Sequence, residues 1–372
     1  MLSGKALQTY IAAGIDSDHE TTTLTEAKEK LSLGMWLMLR EGSAAKNLLD
    51  LLPAVNEYTV NRCLLCCDDK EAQDLIDKGH MDFVIKKTIQ SGLKPLWAIK
   101  MATINTAQRF GLKGIGAIAP GYLADMVVVD SLEEFNVVFT IKSGETVFEN
   151  GMVKGSIPSF VPPEVTHTVH LPKLKPDHFK IWTKGNKAHV IGLIPNQIVN
   201  KDLICEVKKH GDEVISDTDN DILKVAVVER HKGTGNIGLG LISGLGLKFG
   251  AIAQSIAHDS HNIIVVGTHD KDIHFALSTI HKMQGGIALV NDGKLIAALE
   301  LPIAGLISQL SVSQVAFKTQ QLIKESQNLG VKLSNPFLSL SFIALPVIPT
   351  LRLTDKGLVD VSQFRFVPLE AK

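Results

Sequence analysis

Residues 35–69 read MWLMLREGSAAKNLLDLLPAVNEYTVNRCLLCCDD. Met35–Leu39 is a short, continuously apolar run, which predicts a strand buried on both faces. The polar turn Arg40-Glu41-Gly42-Ser43 follows, then a helical pattern to about Leu52, then a second apolar run, Cys63–Cys67, with Asp68 and Asp69 at its carboxyl end. Strand, helix, strand is the rhythm of a βα unit, whose strands lie parallel because the helix carries the chain back. Downstream, helices are predicted over Glu71–Lys78 and Met81–Gln90; in the second, Met81, Val84, Ile85, Thr88 and Ile89 share one face. Pro95 suits the first turn of a further helix, PLWAIKMATINTAQRF, which stops at Gly111. Upstream, the apolar run YIAAGI reads as a strand that leads into Asp18-His19-Glu20.

Beyond Gly111 the texture changes. Glycine-punctuated β segments follow: Met126–Val129, Val137–Ile141, and TVF after Ser143-Gly144, with Asn150-Gly151 as a further hairpin turn. Pro158, Pro162, Pro163, Pro172 and Pro176 mark an extended connection. The chain thus divides into residues 1–110, a small β segment over 111–160, a linker over 161–176 and a C-terminal α/β region over 177–372. In the last region the strands LKVAVVE, NIIVVG, IALV and KLIAALE alternate with helices near Lys271–Met283 and Val312–Leu329. Asn291-Asp292-Gly293 joins two of these strands, and Gly330 closes the last long helix.

Composition excludes several classes of function. With 45% hydrophobic and 21% charged residues and a net charge of -1, the chain has no electrostatic means of recruiting nucleic acid. Its start does not resemble a signal peptide, and its most apolar stretch, Ile237–Ala257, is interrupted by Lys248 and loaded with glycine, so no membrane association and a cytoplasmic location are expected. Of the four cysteines, Cys63, Cys66 and Cys67 crowd one apolar run and Cys205 stands apart, which suits buried thiols in a reducing compartment better than a zinc site.

Several groups carry chemical potential. His19 in Asp18-His19-Glu20, at a strand end among βα units, lies where such units place active sites; the bland alternative is a solvated loop. Asp68-Asp69 either bind a cation or accept a proton, or else cap the next helix. His258, Asp259 and His261 in HDSHN either reach a ligand pocket or form a helix-to-strand turn. His167 and His170 read as surface residues, and His274 and His281 as surface or interface residues. Gly233–Gly238 (GTGNIG) follows a strand and resembles a dinucleotide-binding fingerprint, with Asp259 about twenty residues on. Against that, glycines continue at Gly240, Gly244, Gly246 and Gly250, which would break a crossover helix and suit close backbone packing better.

Taken in order, SGKALQTYIAAGIDSDHETTTLTEA, LREGSAAKNL, CDDKEAQDLIDKGHMDFVIKKTI, ATINTAQRFGLKGIGAIAPGYLADMVVVD and VVERHKGTGNIGLGLISGLGLKFGAIAQSIAHDSHNIIVVG resemble the adenine deaminases, a family of metal-dependent amidohydrolases. The resemblance spans nearly the whole chain. It implies an α/β fold: the late strands of a (β/α)8 barrel, a small β segment and a C-terminal α/β domain. It also implies hydrolysis of adenine to hypoxanthine and ammonia by a hydroxide that Mn2+ or Fe2+ activates, in purine salvage or adenine catabolism. His19 corresponds to a metal ligand of the family and Asp68 to a ligand that is also the proton acceptor. Glu20, Asp69, His258, Asp259 and His261 are candidates for the substrate side.

The family pattern also includes a His-x-His pair, a further carboxylate and another histidine ahead of His19. The sequence begins MLSGK, just past the place of that histidine, and its 13 histidines include no His-x-His. The expectation is therefore a partial deaminase that binds metal poorly alone, completed by an N-terminal companion chain or left as an inactive remnant. A cut barrel leaves strand edges unpaired, so association into homo-oligomers or low solubility is expected. The alternative class is a nucleotide-binding module built on GTGNIG.

Overall fold

The parallel pairing implied by residues 35–69 is present in the computed structural model, which describes residues 2–156, 160–195 and 197–371. Strands β1 (Ser17–Asp18), β2 (Trp36–Arg40) and β3 (Cys63–Cys66) form a parallel sheet in that order, with Leu37 opposite Cys63 and Arg40 opposite Cys66. The apolar run is what permits this, since a strand covered on both faces has no solvent side on which to keep polar residues. Leu37, Leu39, Cys63 and Leu65 are buried with Leu48, Leu51, Ala98 and Met101 in one core.

Helices α1 (Gly4–Ala12), α2 (Leu24–Ser32), α3 (Leu48–Leu51), α4 (Ala72–Asp77), α5 (Met81–Gln90), α6 (Pro95–Ala102) and α7 (Ile104–Arg109) belong to this part of the chain. The expected face of α5 is the buried one, through Val84, Ile85, Thr88 and Ile89. Three expectations need correction. YIAAGI is the end of α1 and its exit turn, not a strand, and the strand that leads to His19 is the short β1. The helix expected over 95–110 breaks at Thr103, whose φ of -126° and ψ of -97° are not helical. The break leaves the buried Asn105 amide free to donate to the carbonyls of Val60 and Cys63, at 2.7 and 2.9 Å, tying α7 to β3. Neither Asp68 nor Asp69 caps α4, because Glu71 holds the N-cap position.

An antiparallel meander of β4 (Met126–Val129), β5 (Val137–Lys142), β6 (Glu145–Glu149) and β7 (Met152–Val153) follows. Its tight turns, Ser143-Gly144 and Asn150-Gly151, have positive φ at both residues, as two-residue hairpins of this hand require. Phe135 is buried in the core of the parallel sheet, so the meander belongs to the same unit. The sheet of β1–β3 is open and closes into no barrel among the described residues.

The chain separates into two compact units, one ending at Ser159 and the other beginning at Phe160. Pro158 lies outside the described residues. The remaining proline-rich stretch is not a free linker: Val169 is buried in the core of the second unit, and the His170 N–H donates to the Arg230 carbonyl at 2.7 Å.

The second unit is built on an eight-stranded sheet. Ahead of it and along its edge lie β8 (Ile181–Trp182), β9 (Lys187–Leu193), β10 (Asn200–Glu206), β11 (Lys209–His210) and β12 (Glu213–Val214). The centre is β13 (Leu223–Val228), β14 (Ile237–Ser243), β15 (Ala251–Gln254) and β16 (Ile263–Gly267). Helix α8 (Asp270–Met283) precedes β17 (Gly286–Asn291) and β18 (Lys294–Glu300). The spatial order is β10-β9-β14-β13-β16-β15-β17-β18, antiparallel throughout except between β9 and β14. Alternation along β13 explains the three layers: Ala226 and Val228 meet α8, whereas Val225 and Val227 face the opposite cluster. That cluster includes Leu322 of α9 (Val312–Asn328), Leu340 of α10 (Pro336–Ser341), Leu353 of β19 (Leu351–Thr354) and Leu358 of β20 (Gly357–Asp360); β21 (Arg365–Phe366) pairs with β20. Asp292-Gly293 turns β17 into β18 as expected. Among the described residues, no helix is long and apolar enough to cross a membrane.

The GTGNIG segment needs correction as a nucleotide-binding candidate. It opens β14, which runs antiparallel to β13, so the glycines face no crossover helix whose N-terminus could hold a pyrophosphate. Gly233 and Gly235 instead supply positive φ, and Gly238 serves packing: a Cβ there would stand 1.8 Å from the Thr354 carbonyl oxygen. Gly238→Ala should therefore lower stability by about 1–3 kcal/mol or more through overpacking. Chemical denaturation of the variant, read against the parent chain, measures this; an unchanged midpoint would contradict the packing account.

Candidate metal-site rim

In a parallel sheet the carboxyl ends of neighbouring strands share one rim. On the rim of β1–β3 the chain places Asp18 as the last residue of β1 with His19 and Glu20 after it, Arg40 as the last residue of β2 and Asp68 just past β3. Asp18 is turned away from the rest. It pairs with the buried Lys30 of α2, which also bonds Glu26 at 2.7 Å and Thr21 at 3.0 Å, so it fastens α2 beneath the loop. Burial alone would raise the Asp18 pKa, but the bonds from Lys30 and Thr21 outweigh it and hold the carboxyl below its usual range.

The other groups meet. Arg40 Nη1 donates to Asp68 Oδ2 at 2.7 Å and to Glu20 Oε1 at 3.2 Å, while Nη2 donates to Glu20 Oε2 at 3.1 Å. His19 Nε2 stands 3.1 Å from Glu20 Oε1. The Arg40 side chain is only 7% exposed, whereas those of His19 and Glu20 are 47% and 66% exposed, so the guanidinium is the fixed member of the cluster. The hydrogen bond to Glu20 raises the His19 pKa against the effect of burial, and Asp68 adds to the rise through space. The same bond, with Arg40, pushes the Glu20 carboxyl down to about 2. Asp68 is held at a φ of 56°, a left-handed conformation that a non-glycine residue adopts only where its surroundings fix it.

Asp69 does a different job. Its Oδ2 accepts from the Ala44 N–H at 2.9 Å and its carbonyl from the Ser43 N–H at 2.6 Å, closing the 40–47 loop over β3. A Cβ at Gly42 would stand 2.1 Å from Asp69 Oδ1, which explains the glycine in that turn. Burial raises the Asp69 pKa against these bonds. All four cysteines are free, and burial pushes the Cys63 and Cys66 thiols up to about 12.

The chemistry of the rim suits a divalent cation in kind, because neutral imidazole and carboxylate are donors such ions accept. In number it is incomplete: among the described residues no three His, Cys, Asp or Glu side chains gather closely enough to hold an ion. Sequence reasoning picked His19, Glu20 and Asp68 but left Arg40 in a polar turn. The available signal was a basic residue closing the apolar strand WLMLR between two acidic strand ends.

His258, Asp259 and His261 form a group of their own in the second unit, in a turn between β15 and β16, so the expected helix-to-strand turn is a strand-to-strand one. The His258 ring packs 4.7 Å from Phe342 and 5.9 Å from His261. Burial lowers the His261 pKa, and His258 and Arg230 lower it further. The buried Arg230 fixes this turn by donating to the His261 carbonyl and, at 3.0 Å, to that of Ala304. His274 and His281 line a surface cleft of about 380 Å3 with Leu171–Leu174, and His167 and His170 are exposed, as expected.

Next to that turn, burial would raise the Glu229 pKa, but the N–H groups of Thr234, Lys232 and His231 and the Thr234 hydroxyl all donate to its carboxylate and bring it down to about 2. A depressed folded-state value stabilises the fold fully above the ordinary value of 4.5, and that stabilisation is lost as pH falls toward about 2. Melting temperature measured across this window should fall for the parent chain, and the fall should be shallower in Glu229→Gln; parallel curves would contradict the assignment.

Comparison with known proteins agrees with the two-unit architecture. Residues 1–147 match the amidohydrolase family and residues 197–365 match the adenine deaminase C-terminal domain. Adenine deaminase 2 of Carboxydothermus hydrogenoformans is 48% identical over 369 residues, covering 99% of this chain and 65% of that protein. The adenine deaminase of Methanothrix thermoacetophila is also 48% identical, with 99% of this chain and 64% of that protein covered. The chain thus spans about two thirds of the length of these relatives. Among solved structures, a β-aspartyl dipeptidase of Fervidobacterium islandicum AW-1 is similar over 36% of this chain and 38% of its own, at 22% identity and a TM-score of 0.30.

Proposed function

The chain belongs to the adenine deaminase family, and from that premise we propose that it forms the late-strand side of a (β/α)8 deaminase barrel, acting in the hydrolysis of adenine to hypoxanthine and ammonia. The observation that carries this reading is the convergence of His19, Arg40 and Asp68 on the rim of one parallel sheet. His19 and Asp68 are the groups on this chain that would hold the metal, Mn2+ or Fe2+. When bound, a divalent cation supplies a hydroxide nucleophile at neutral pH by lowering the pKa of water.

What the chain's own residues do follows from their positions. Asp68 stands at a strand end with one carboxylate oxygen bonded to Arg40, which leaves the other oxygen to take a proton from the attacking water and return it to the departing ammonia. Asp69, whose Oδ2 accepts from the Ala44 N–H of the 40–47 loop, shapes the rim. Since the described residues bring no third ligand to His19 and Asp68, we place the remaining ligands on polypeptide beyond them, whether a longer form of the chain or a companion one. The solubility and association expected from open strand edges belong to this same reading.

Production of hypoxanthine from adenine, assayed with Mn2+ for the chain alone and for the chain co-expressed with the N-terminal third of a relative, tests the proposal. Turnover is expected in the completed form, with Asp68→Asn lowering kcat by about 10^2–10^4. Absence of turnover in both forms, with folding intact, would leave the remnant reading in its place.

A further inference from the structure

We propose that Glu20 and Arg40 are positioning residues: together they form a bridge that locks the imidazole of His19 and the carboxylate of Asp68 into one mutual geometry. The inference rests on the reading of those two groups as ligands. It assigns Glu20 a place different from the substrate side.

The bridge is continuous. The His19 imidazole meets the Glu20 carboxylate at 3.1 Å; Glu20 takes both forks of the Arg40 guanidinium at 3.1 and 3.2 Å; Arg40 reaches Asp68 at 2.7 Å. Two-pronged guanidinium–carboxylate bonds fix orientation as well as distance, which a lysine at the same place would not do. The anchor is Arg40, since its side chain is 7% exposed and its backbone is paired within the sheet, with Arg40 opposite Cys66. Glu20 and His19 are on the solvent side of that anchor, at 66% and 47% exposed, and their side chains would wander without it. Arg40 therefore sets the place of His19 without touching it.

The arrangement has a chemical purpose. A histidine that ligates metal through one ring nitrogen commonly gives the other to a carboxylate, and loss of that carboxylate costs roughly 10–100-fold in metal affinity. Here Nε2 is the nitrogen engaged with Glu20, so Nδ1 is the one left to ligate. On the other side, Asp68 gives Oδ2 to Arg40 and keeps Oδ1.

The test uses the full chain labelled with 13C in histidine, metal-free, with the His19 Cε1–Hε1 signal assigned from His19→Gln. The order parameter of that bond should be high in the parent chain and fall below about 0.6 in Glu20→Ala and in Arg40→Ala. Arg40→Lys should recover it only in part, and Glu20→Ala should melt within a few degrees of the parent because Glu20 is exposed. An order parameter unchanged in both alanine variants would overturn the proposal. Titration with Mn2+ of parent and variant, each co-expressed with the N-terminal third of a relative so that the remaining ligands are supplied, separates the two readings. Broadening of the His19 signal that needs at least about tenfold more Mn2+ in Glu20→Ala supports bridge and ligand alike. Loss of order without any broadening in the parent supports the bridge and sinks the ligand assignment.

Discussion

Parallel pairing of β1, β2 and β3 is the constraint from which the rest follows. Adjacent parallel strands must point their carboxyl ends the same way, so residues far apart in sequence, His19, Arg40 and Asp68, arrive on one rim with no further instruction. The strands themselves are apolar and buried, which leaves polar side chains to collect where each strand ends. A buried cation at such an end must be paired, because an isolated charge removed from water is costly. The guanidinium of Arg40 satisfies this need with two carboxylates, and in doing so organises the exposed groups beside it.

The two acidic residues at the end of β3 illustrate how environment divides chemically identical groups. Asp69 points into the 40–47 loop, where one carboxylate oxygen accepts from the Ala44 N–H and the backbone carbonyl from the Ser43 N–H. Asp68, one residue earlier and held in a left-handed conformation, points to the guanidinium and the rim. The left-handed turn at Asp68 redirects the chain between the two neighbours, so their side chains find different partners. Asp18 and Glu20 also take different partners, the first fastening α2 and the second bridging to Arg40.

Much of this was legible in the chain. The strands β2 and β3, the face of α5 and the hairpins at Ser143-Gly144 and Asn150-Gly151 follow local rules of apolar runs, helical period and turn geometry. What was not legible depended on tertiary partners. YIAAGI is apolar enough for a strand but forms the end of a helix, a choice that short apolar runs leave open. The break at Thr103 follows from Asn105 reaching Val60 and Cys63, more than forty residues away. Proline spacing suggested a linker where Val169 in fact enters a core. GTGNIG satisfied a pattern of glycines but not its context, since β14 runs antiparallel to the preceding strand. Arg40 escaped notice because its partners come from two other strand ends, and no local rule pairs them.

The buried arginines of the two units use charge in contrasting ways. In the second, Arg230 and Arg352 are buried with backbone carbonyls as acceptors: Arg230 holds the histidine turn and Arg352 bonds the carbonyls of Phe342, Ile198, Ile348 and Pro349. Burial holds both of these pKa values below the ordinary arginine range, yet a guanidinium remains charged throughout the physiological range. These two cations fasten loops through hydrogen bonds to carbonyls. Arg40 differs in having carboxylates for partners, one of which also meets an imidazole. A guanidinium bound to carbonyls can only hold the backbone in place, whereas one bound to titratable side chains sets their orientation and charge. That difference in partners, more than burial itself, separates the rim of the parallel sheet from the structural cations of the second unit.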